Sequence, residues 1–295
     1  MASFDVTKGF RLFCENLVLS SDKLTTISNR YHSITKIINR NYWNSTSDIT
    51  HSLYVGSFGR GTKVNDSDID MLVMLPAKLY HQYNSYSGNG QSAFLQNVKN
   101  SIKAAYPRTK IRADGQIIVV NFSDGKSFEV LPAFENSDGY TLTYADTNDG
   151  GSWKTTNPRA EIKAVNDMDN ATNGNYKRLC KMARAWKSTN NVDISGIVID
   201  VLAYRFIDEW GYKDKGYTYY DWMTRDFMEY LMNFPQQVRY KVIGSNRYVY
   251  DFGSFQYKAK LSYNTAIRAI DYGIQYSNLA NKAWREIYGT RFPLL

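Results

Sequence analysis

Two N-terminal segments have the apolar spacing of amphipathic helices. Residues 5–18 carry apolar side chains three or four positions apart, and a longer segment beginning near Ser21 repeats this spacing. The apolar positions of the longer segment are Leu24, Ile27, Tyr31, Ile34 and Ile38. Because such positions share one face of a helix, both segments are predicted to be helical, with Ser21 as the N-cap of the second.

The next apolar segments have the pattern of β-strands. A mostly apolar run covers Ile69–Leu75 and is stopped by Pro76. Two further runs, Ile117–Phe122 and Phe128–Leu131, flank a Ser-Asp-Gly-Lys sequence, and Asp-Gly is a strong hairpin signal. Residues 91–106 have a helical pattern. The first half of the chain is therefore predicted to combine helices with strands that pair into a sheet.

The second half of the chain is predicted to be helical. Glu135–Asn175 is rich in Gly, Asn, Asp and Thr, and we interpret it as a long connection with a short helix near 158–168. Helical patterns follow at 176–189, 195–209, 221–233 and 257–288. The predicted fold is α+β with two lobes. A mixed-sheet lobe with the N-terminal helices takes residues 1–160, and an all-helical lobe takes residues 161–295.

Composition and charge limit the ligands and the cellular compartment that suit the chain. The chain has 295 residues, 43% of them hydrophobic, and a formal net charge of +8. This charge suits polyanionic ligands such as nucleotides, although it is also ordinary for a protein of this size. The two cysteines, Cys14 and Cys180, have no CxxC spacing, which favours a reducing compartment. Neither a signal peptide nor an apolar run of about 18 residues is visible, so we expect a cytoplasmic protein without membrane contact.

Asp68 and Asp70 are the first candidates for a catalytic site. Side chains two residues apart on a strand point to the same face, whereas Ile69 points to the other. Two carboxylates held together at neutral pH share a proton or bind a cation, and Mg²⁺ or Mn²⁺ is the hard cation that prefers oxygen ligands. Alternating acids are also common on solvated strands, so this pair alone is a weak signal.

A glycine-rich turn precedes these acids. It has the sequence GSFGRGT at residues 56–62, and Ser57 lies eleven positions before Asp68. The glycines allow close approach to a ligand, Ser57 offers a hydroxyl, and backbone N–H groups after Gly56 can bind an anion. The turn, the spacing, the acid pair and the apolar strand together are far more specific than any one of them. They predict a site where a divalent cation and phosphates bind together.

These features resemble the nucleotidyltransferase superfamily with the polymerase-β-like palm, and more closely the cGAS/DncV-like nucleotidyltransferases (CD-NTases) of bacterial CBASS anti-phage systems. Later segments are also similar to that family: SFEVLPAF at 127–134, RLCKMARAWK at 178–187 with ISGIVID at 194–200, and WREIYG at 284–289. The resemblance covers nearly the whole chain. It implies a palm lobe braced by the long N-terminal helix, a helical lobe, and an active site in the cleft between them.

The resemblance implies a third carboxylate, and Glu129 is the candidate for it. Its neighbours on the predicted strand are apolar, and a charged residue among them needs a partner such as a metal ion. The family often has Asp at this position, whose oxygens lie closer to the backbone than those of Glu. For Asp114 and Asp124, which precede glycines, we favour a role in turns, and for Asp66 a role in the loop.

The resemblance also implies phosphate-binding residues in the helical lobe. Lys181 and Arg184 lie one turn apart on a predicted helix, and the family has a basic phosphate contact near Arg184 and a small hydroxyl residue near Ser195. A charged helix face is, however, usually only solvated. The aromatic segment at 217–222 is a place where a base-stacking residue could lie, but aromatic runs that open a helix are more often core, so none is chosen.

By this resemblance, the chain is a template-independent enzyme that joins nucleoside triphosphates into a cyclic di- or trinucleotide second messenger and releases pyrophosphate. Asp68, Asp70 and Glu129 would hold two Mg²⁺ or Mn²⁺ ions, and Gly56 and Ser57 would grip the triphosphate. The implied substrates are ATP and, as further candidates, GTP, UTP or CTP. An effector protein would read the product and regulatory proteins are possible partners, while long nucleic acid is not required.

Two other functions remain open on the sequence alone. The same palm can transfer a single nucleotide to an RNA, a small molecule or a protein, which is the main alternative. A non-enzymatic nucleic-acid sensor agrees with the charge of +8 but has no use for the acid pair. A dehydrogenase or a P-loop kinase is disfavoured, because neither GxGxxG after a strand nor GxxxxGK[ST] is present.

Overall fold

The computed structural model describes residues 4–64, 68–273 and 275–295, and it confirms the predicted α+β class. In chain order the helices are α1 (Val6–Asn16), α2 (Ser21–Tyr42), α3 (Gly56–Gly59), α4 (Ala77–Asn84), α5 (Gly90–Ala105), α6 (Pro158–Ala171), α7 (Asn175–Asn190), α8 (Gly196–Glu209), α9 (Tyr220–Met232), α10 (Gln256–Gly273) and α11 (Ser277–Tyr288). The strands are β1 (Ser52–Tyr54), β2 (Asp68–Met74), β3 (Lys110–Asp114), β4 (Ile117–Asn121), β5 (Ser127–Glu135), β6 (Leu142–Asp146), β7 (Ser152–Thr156), β8 (Arg239–Lys241) and β9 (Tyr248–Tyr250).

The chain divides into two compact units. The sheet unit comprises Ser20–Gly61 and Asn65–Ile162, and the helical unit comprises Met1–Leu19, Thr62–Val64 and Lys163–Leu295. The predicted lobe boundary after residue 160 lies within α6, close to the unit boundary after Ile162.

A mixed seven-stranded sheet organises the sheet unit. Its strands run in the order β1-β2-β5-β4-β3, and β6 pairs with β5 and with β7. β2 and β5 are parallel, while the other neighbouring strands are antiparallel. β4 pairs with the first half of β5 and β6 with its last three residues, so both lie along the edge of β5 that faces away from β2.

The two faces of β2 and β5 differ in chemistry. On β2, Ile69, Met71 and Val73 share one face and are fully buried. Phe128 and Val130 are their partners on β5 and are fully buried too. The opposite face carries acids at its start and a smaller apolar cluster further along. This alternation fixes the register, because a slip by one residue would turn the acids into the core.

Several elements differ from the sequence-based expectations. Glu135–Asn175, predicted to be a long connection, contains β6, β7 and a full-length α6. β7 consists largely of polar, partly exposed residues, so its apolar pattern is weak. The predicted helix at 257–288 is two helices, α10 and α11. Ser21 is the first helical residue of α2, and Ser20 is its N-cap. The hairpin around Asp124 is confirmed, since Asn121 pairs with Ser127.

Buried aromatic side chains form the core of the helical unit. The ring of Phe10 in α1 lies 5.1 Å from that of Trp284 in α11 and 5.2 Å from that of Phe292. We had expected α1 to lie with α2 in the sheet unit. Because α1 packs on these rings, it belongs to the helical unit instead. The unit also contains the antiparallel pair β8–β9, so it is not all-helical. In the described ranges, no helix has both the length and the apolar character needed to cross a bilayer.

Replacing Phe10 with alanine is expected to lower the free energy of unfolding by about 3–5 kcal/mol, because a fully buried aromatic side chain leaves a cavity. Urea denaturation measures this change. Phe252→Ala is the matched control, since Phe252 is 78% exposed and its removal should cost less than about 0.5 kcal/mol. Equal effects of the two variants would contradict the packing of α1.

Candidate active site

Parallel pairing brings the candidate carboxylates together near the N-terminal ends of two neighbouring strands, β2 and β5. These strand ends form the sheet edge of the site. Asp70 on β2 is the register partner of Glu129 on β5, and Asp68 is the partner of Ser127. Partners on parallel strands point to the same face, so Asp68, Asp70 and Glu129 project together from the face opposite the buried core. The Ser127 hydroxyl donates a hydrogen bond to Asp68 Oδ1 at 2.7 Å. Asp66 lies outside the described residues.

The carboxylates are placed where solvent or a ligand can reach them. Asp68 is exposed, whereas Asp70 and Glu129 are half-buried. Carboxylates that project from the same face of neighbouring strands repel one another unless a proton or a cation lies between them. The other acids that we considered are placed differently. Asp114 ends β3, and Asp124 lies in a hairpin turn, where a hydrogen bond from Arg30 lowers its pKa to about 2.

The glycine-rich turn lies directly against Asp70. β1 leads into α3, a single helical turn, and the Val55 N–H donates to the Asp70 carbonyl at 3.0 Å. Gly56 has φ +59°, and a Cβ atom on it would lie 1.9 Å from Asp70 Oδ2. Only glycine fits there. The backbone that leads into Ser57 is thus held beside the carboxylate edge.

Arg60 is a functional candidate that the sequence pattern did not single out. Its guanidinium Nη1 donates to Glu161 Oε2 at 3.3 Å, and both residues are buried. A cation in a glycine-rich turn suggests a phosphate contact, but here the guanidinium points into the sheet unit. The only sequence signal for this was the position of Arg60 between two glycines, which does not identify a partner about a hundred residues away.

Arg184 is buried in the helical unit. Its Nη1 donates to Asp200 Oδ1 at 2.6 Å, and its Nη2 donates to the Gly196 carbonyl at 2.9 Å. Thr62 donates to the other carboxylate oxygen of Asp200 at 3.1 Å. Burial alone would lower the pKa of Arg184, but the charge and the hydrogen bond of Asp200, together with the charges of Cys180 and Tyr176, outweigh it and the pKa is raised. These contacts give Arg184 a structural role, and its predicted phosphate contact stays a prediction.

Lys181 lines a separate cavity of the helical unit. This cavity has a volume of about 250 Å³ and is formed by Arg178, Tyr217 and residues of α1. Burial lowers the pKa of the Lys181 ammonium. The Cys14 thiol lines the same cavity, and burial raises its pKa to about 12.

Ser195 lines a different cavity, of about 380 Å³, together with Lys187 and Asp251. The Ser195 N–H donates to Asp251 Oδ2 at 2.6 Å, which fixes the start of α8. Burial would raise the pKa of Asp251, but hydrogen bonds from Ser195 and Gly253 outweigh it and the pKa is lowered. Lys181 and Ser195 therefore line different cavities, and Lys187 is the basic residue that lines the cavity of Ser195.

A family model described as the Second Messenger Oligonucleotide or Dinucleotide Synthetase domain matches residues 4–169. The chain belongs to this family. The matched region includes the glycine-rich turn, the acid pair and Glu129. It confirms the resemblance to CD-NTases and identifies the chain as a nucleotidyltransferase.

Relatives of this synthetase are similar over most of the chain. A protein named probable cyclic nucleotide synthase, from Bacillus cereus (strain VD146), is 24% identical over an alignment 280 residues long. The alignment covers 81% of this chain and 81% of that protein. CdnC of E. coli MS115-1, solved with ATP, has a TM-score of 0.68 at 16% identity and covers 97% of this chain and 98% of its own. The CD-NTase CdnG of Bradyrhizobium diazoefficiens, in complex with GTP, has a TM-score of 0.67 at 10% identity, with 97% and 95% coverage. These two structures share the fold of the synthetase.

The donor set at the sheet edge fits a hard divalent cation. Asp68, Asp70 and Glu129 offer carboxylate oxygens, which are the ligands that Mg²⁺ and Mn²⁺ prefer. Within the part of the chain that the structure describes, no group of three His, Cys, Asp or Glu side chains, these carboxylates included, is arranged so that it could already hold a metal ion. An open set of carboxylates suits Mg²⁺, which takes its remaining ligands from water and substrate phosphates.

Gly56→Ala is expected to reduce nucleotidyl transfer by about 10²-fold, because the added Cβ would displace the Asp70 carboxylate. Gly125→Ala is the matched control. Gly125 also has a positive φ, of +80°, but a Cβ on it would meet no heavy atom within 4 Å. Both variants bear backbone strain, so only the loss specific to Gly56→Ala reports the contact with Asp70. Steady-state turnover of triphosphates measures it, and equal activity of the two variants would rule out the close approach.

Arg184→Met is expected to lower the free energy of unfolding by about 3–5 kcal/mol, because it leaves the carboxylate of Asp200 buried without its cation. Arg11→Met removes an exposed ion pair with Glu15 and should change stability little. Urea denaturation compares the two variants. If Arg184→Met were as stable as Arg11→Met, the structural role of Arg184 would be wrong.

Proposed function

We propose that this synthetase joins nucleoside triphosphates into a cyclic di- or trinucleotide, a second messenger used in anti-phage defence. The observation that carries the proposal is the pairing of Asp70 with Glu129 at the sheet edge, with the backbone of Gly56 against Asp70. This arrangement provides oxygen ligands for cations beside a turn that can receive phosphates. The family match and the resemblance to CD-NTases support the cyclic product and the defence role.

Each residue of the edge has a proposed part in the reaction. Asp68, Asp70 and Glu129 hold two divalent ions, Mg²⁺ or Mn²⁺, and Gly56 and Ser57 hold the β and γ phosphates. When bound, these ions neutralise the triphosphate and lower the pKa of the acceptor hydroxyl. The hydroxyl oxygen of one nucleotide bonds to the α-phosphorus of the next, and the bond to pyrophosphate breaks. The residues contribute mainly by orientation and charge.

Ser195 is a proposed phosphate contact of the helical unit, and Lys187 lines the same cavity. Lys181 and Arg184 remain candidates from the family resemblance only. ATP is a proposed substrate, since CdnC was solved with ATP, and GTP is a second, since CdnG was solved with GTP. An effector that reads the product, regulatory proteins and a cytoplasmic setting are proposed from the same resemblance.

Incubation of the purified protein with the four NTPs and Mg²⁺ or Mn²⁺ tests this proposal. After phosphatase treatment, mass spectrometry should find a resistant cyclic product. A nucleotide attached to added RNA or protein would instead support single-nucleotide transfer, and no turnover with either metal would contradict the proposal.

Replacing both Asp68 and Asp70 with asparagine should lower product formation by at least about 10²-fold, because the ligands for the cations are lost. Asp114→Asn serves as the control, since Asp114 is an exposed strand acid that is paired with Arg112. Its activity should match that of the wild type. Retained turnover in the double variant would show that the reaction takes place elsewhere.

A further inference from the structure

We infer that Glu161 and Arg60 are positioning residues for the nucleotidyl transfer reaction: their buried ion pair holds the glycine-rich turn against Asp70. This inference rests on the proposed function. It assigns no substrate contact to either residue. Their effect passes through the backbone of the turn.

The ion pair lies inside the sheet unit. Arg60 is 6% exposed and Glu161 is 4% exposed, and Nη1 of the guanidinium lies 3.3 Å from Oε2 of the carboxylate. A buried charge is costly, so each partner needs the other. An Arg60 side chain turned outward to a phosphate would therefore give up this contact with the Glu161 carboxylate.

Glu161 is itself held in place by the start of α6. The side chain of Asn157 accepts a hydrogen bond from the Ala160 N–H at 3.0 Å, and its carbonyl accepts one from the Glu161 N–H at 3.3 Å. These bonds cap the first helical turn and fix the backbone from which the Glu161 side chain extends. Glu161 thus presents its carboxylate from a helix rather than from a loop.

Arg60 connects the ion pair to the backbone of the glycine-rich turn. Its backbone N–H donates to the Gly56 carbonyl at 3.1 Å, closing the single turn of α3. Gly59, one residue earlier, packs so closely that a Cβ would lie 2.4 Å from the Tyr54 carbonyl oxygen. Gly56 then meets the carboxylate of Asp70. A continuous series of contacts therefore connects α6 to the catalytic edge.

A double variant separates positioning from stability. Arg60→Met with Glu161→Leu removes the ion pair but fills its volume, and such replacements often preserve stability. We expect an unchanged melting temperature and a loss of about 10²-fold in kcat/KM for triphosphates, with lower kcat and higher KM. The matched control applies the same changes to an exposed pair, Arg159→Met with Glu135→Leu, whose side chains are 38% and 49% exposed. Arg159 lies in the first turn of α6, as Glu161 does, and Glu135 ends β5. It should keep wild-type kinetics.

Arg60→Lys is a second variant for the case in which the double variant does not fold. It keeps the buried charge but lacks the planar fork of the guanidinium, so an intermediate loss of about 10-fold in kcat/KM is expected. A folded double variant with wild-type kcat and KM would overturn the inference, as would wild-type kinetics of Arg60→Lys. Wild-type protein that neither binds nor converts any triphosphate would instead overturn the proposed function, and this inference with it.

Discussion

Repulsion between carboxylates is the constraint on which the sheet unit depends. β2 and β5 start at the same edge because they are parallel, and this puts Asp70 opposite Glu129. The two strands can hold these charges only because the other face of the same strands is fully apolar and buried. Burial on one face therefore stabilises a strand pair that brings acids together on the other.

The glycine-rich turn shows how a flexible sequence becomes a rigid element. Its glycines permit close contacts, with Asp70 on one side and with the Tyr54 carbonyl on the other. Close contacts alone do not fix the backbone at glycines, which have no side chains. Rigidity comes from Arg60, whose long side chain reaches the interior while its N–H closes the turn. Charge is used here for orientation inside the protein and not for attraction of a ligand.

Much of the candidate site could be predicted from the sequence, because its signals are local. The acids alternate within one strand, the turn lies just before them, and Glu129 interrupts an apolar run. The partners of Arg60 and Arg184 could not be predicted, since each lies on another helix and a helix-face pattern does not identify what faces it. β7 was missed because a strand at the end of a sheet tolerates polar residues, and β6 because its buried residues do not alternate along the strand.

The packing of α1 has a consequence for the order in which the protein can fold during synthesis. Phe10 leaves the ribosome long before its partners Trp284 and Phe292. Most of the sheet unit is complete before those partners exist. The apolar face of α1 therefore stays uncovered while the sheet unit is made, and exposed apolar surface favours aggregation in that interval.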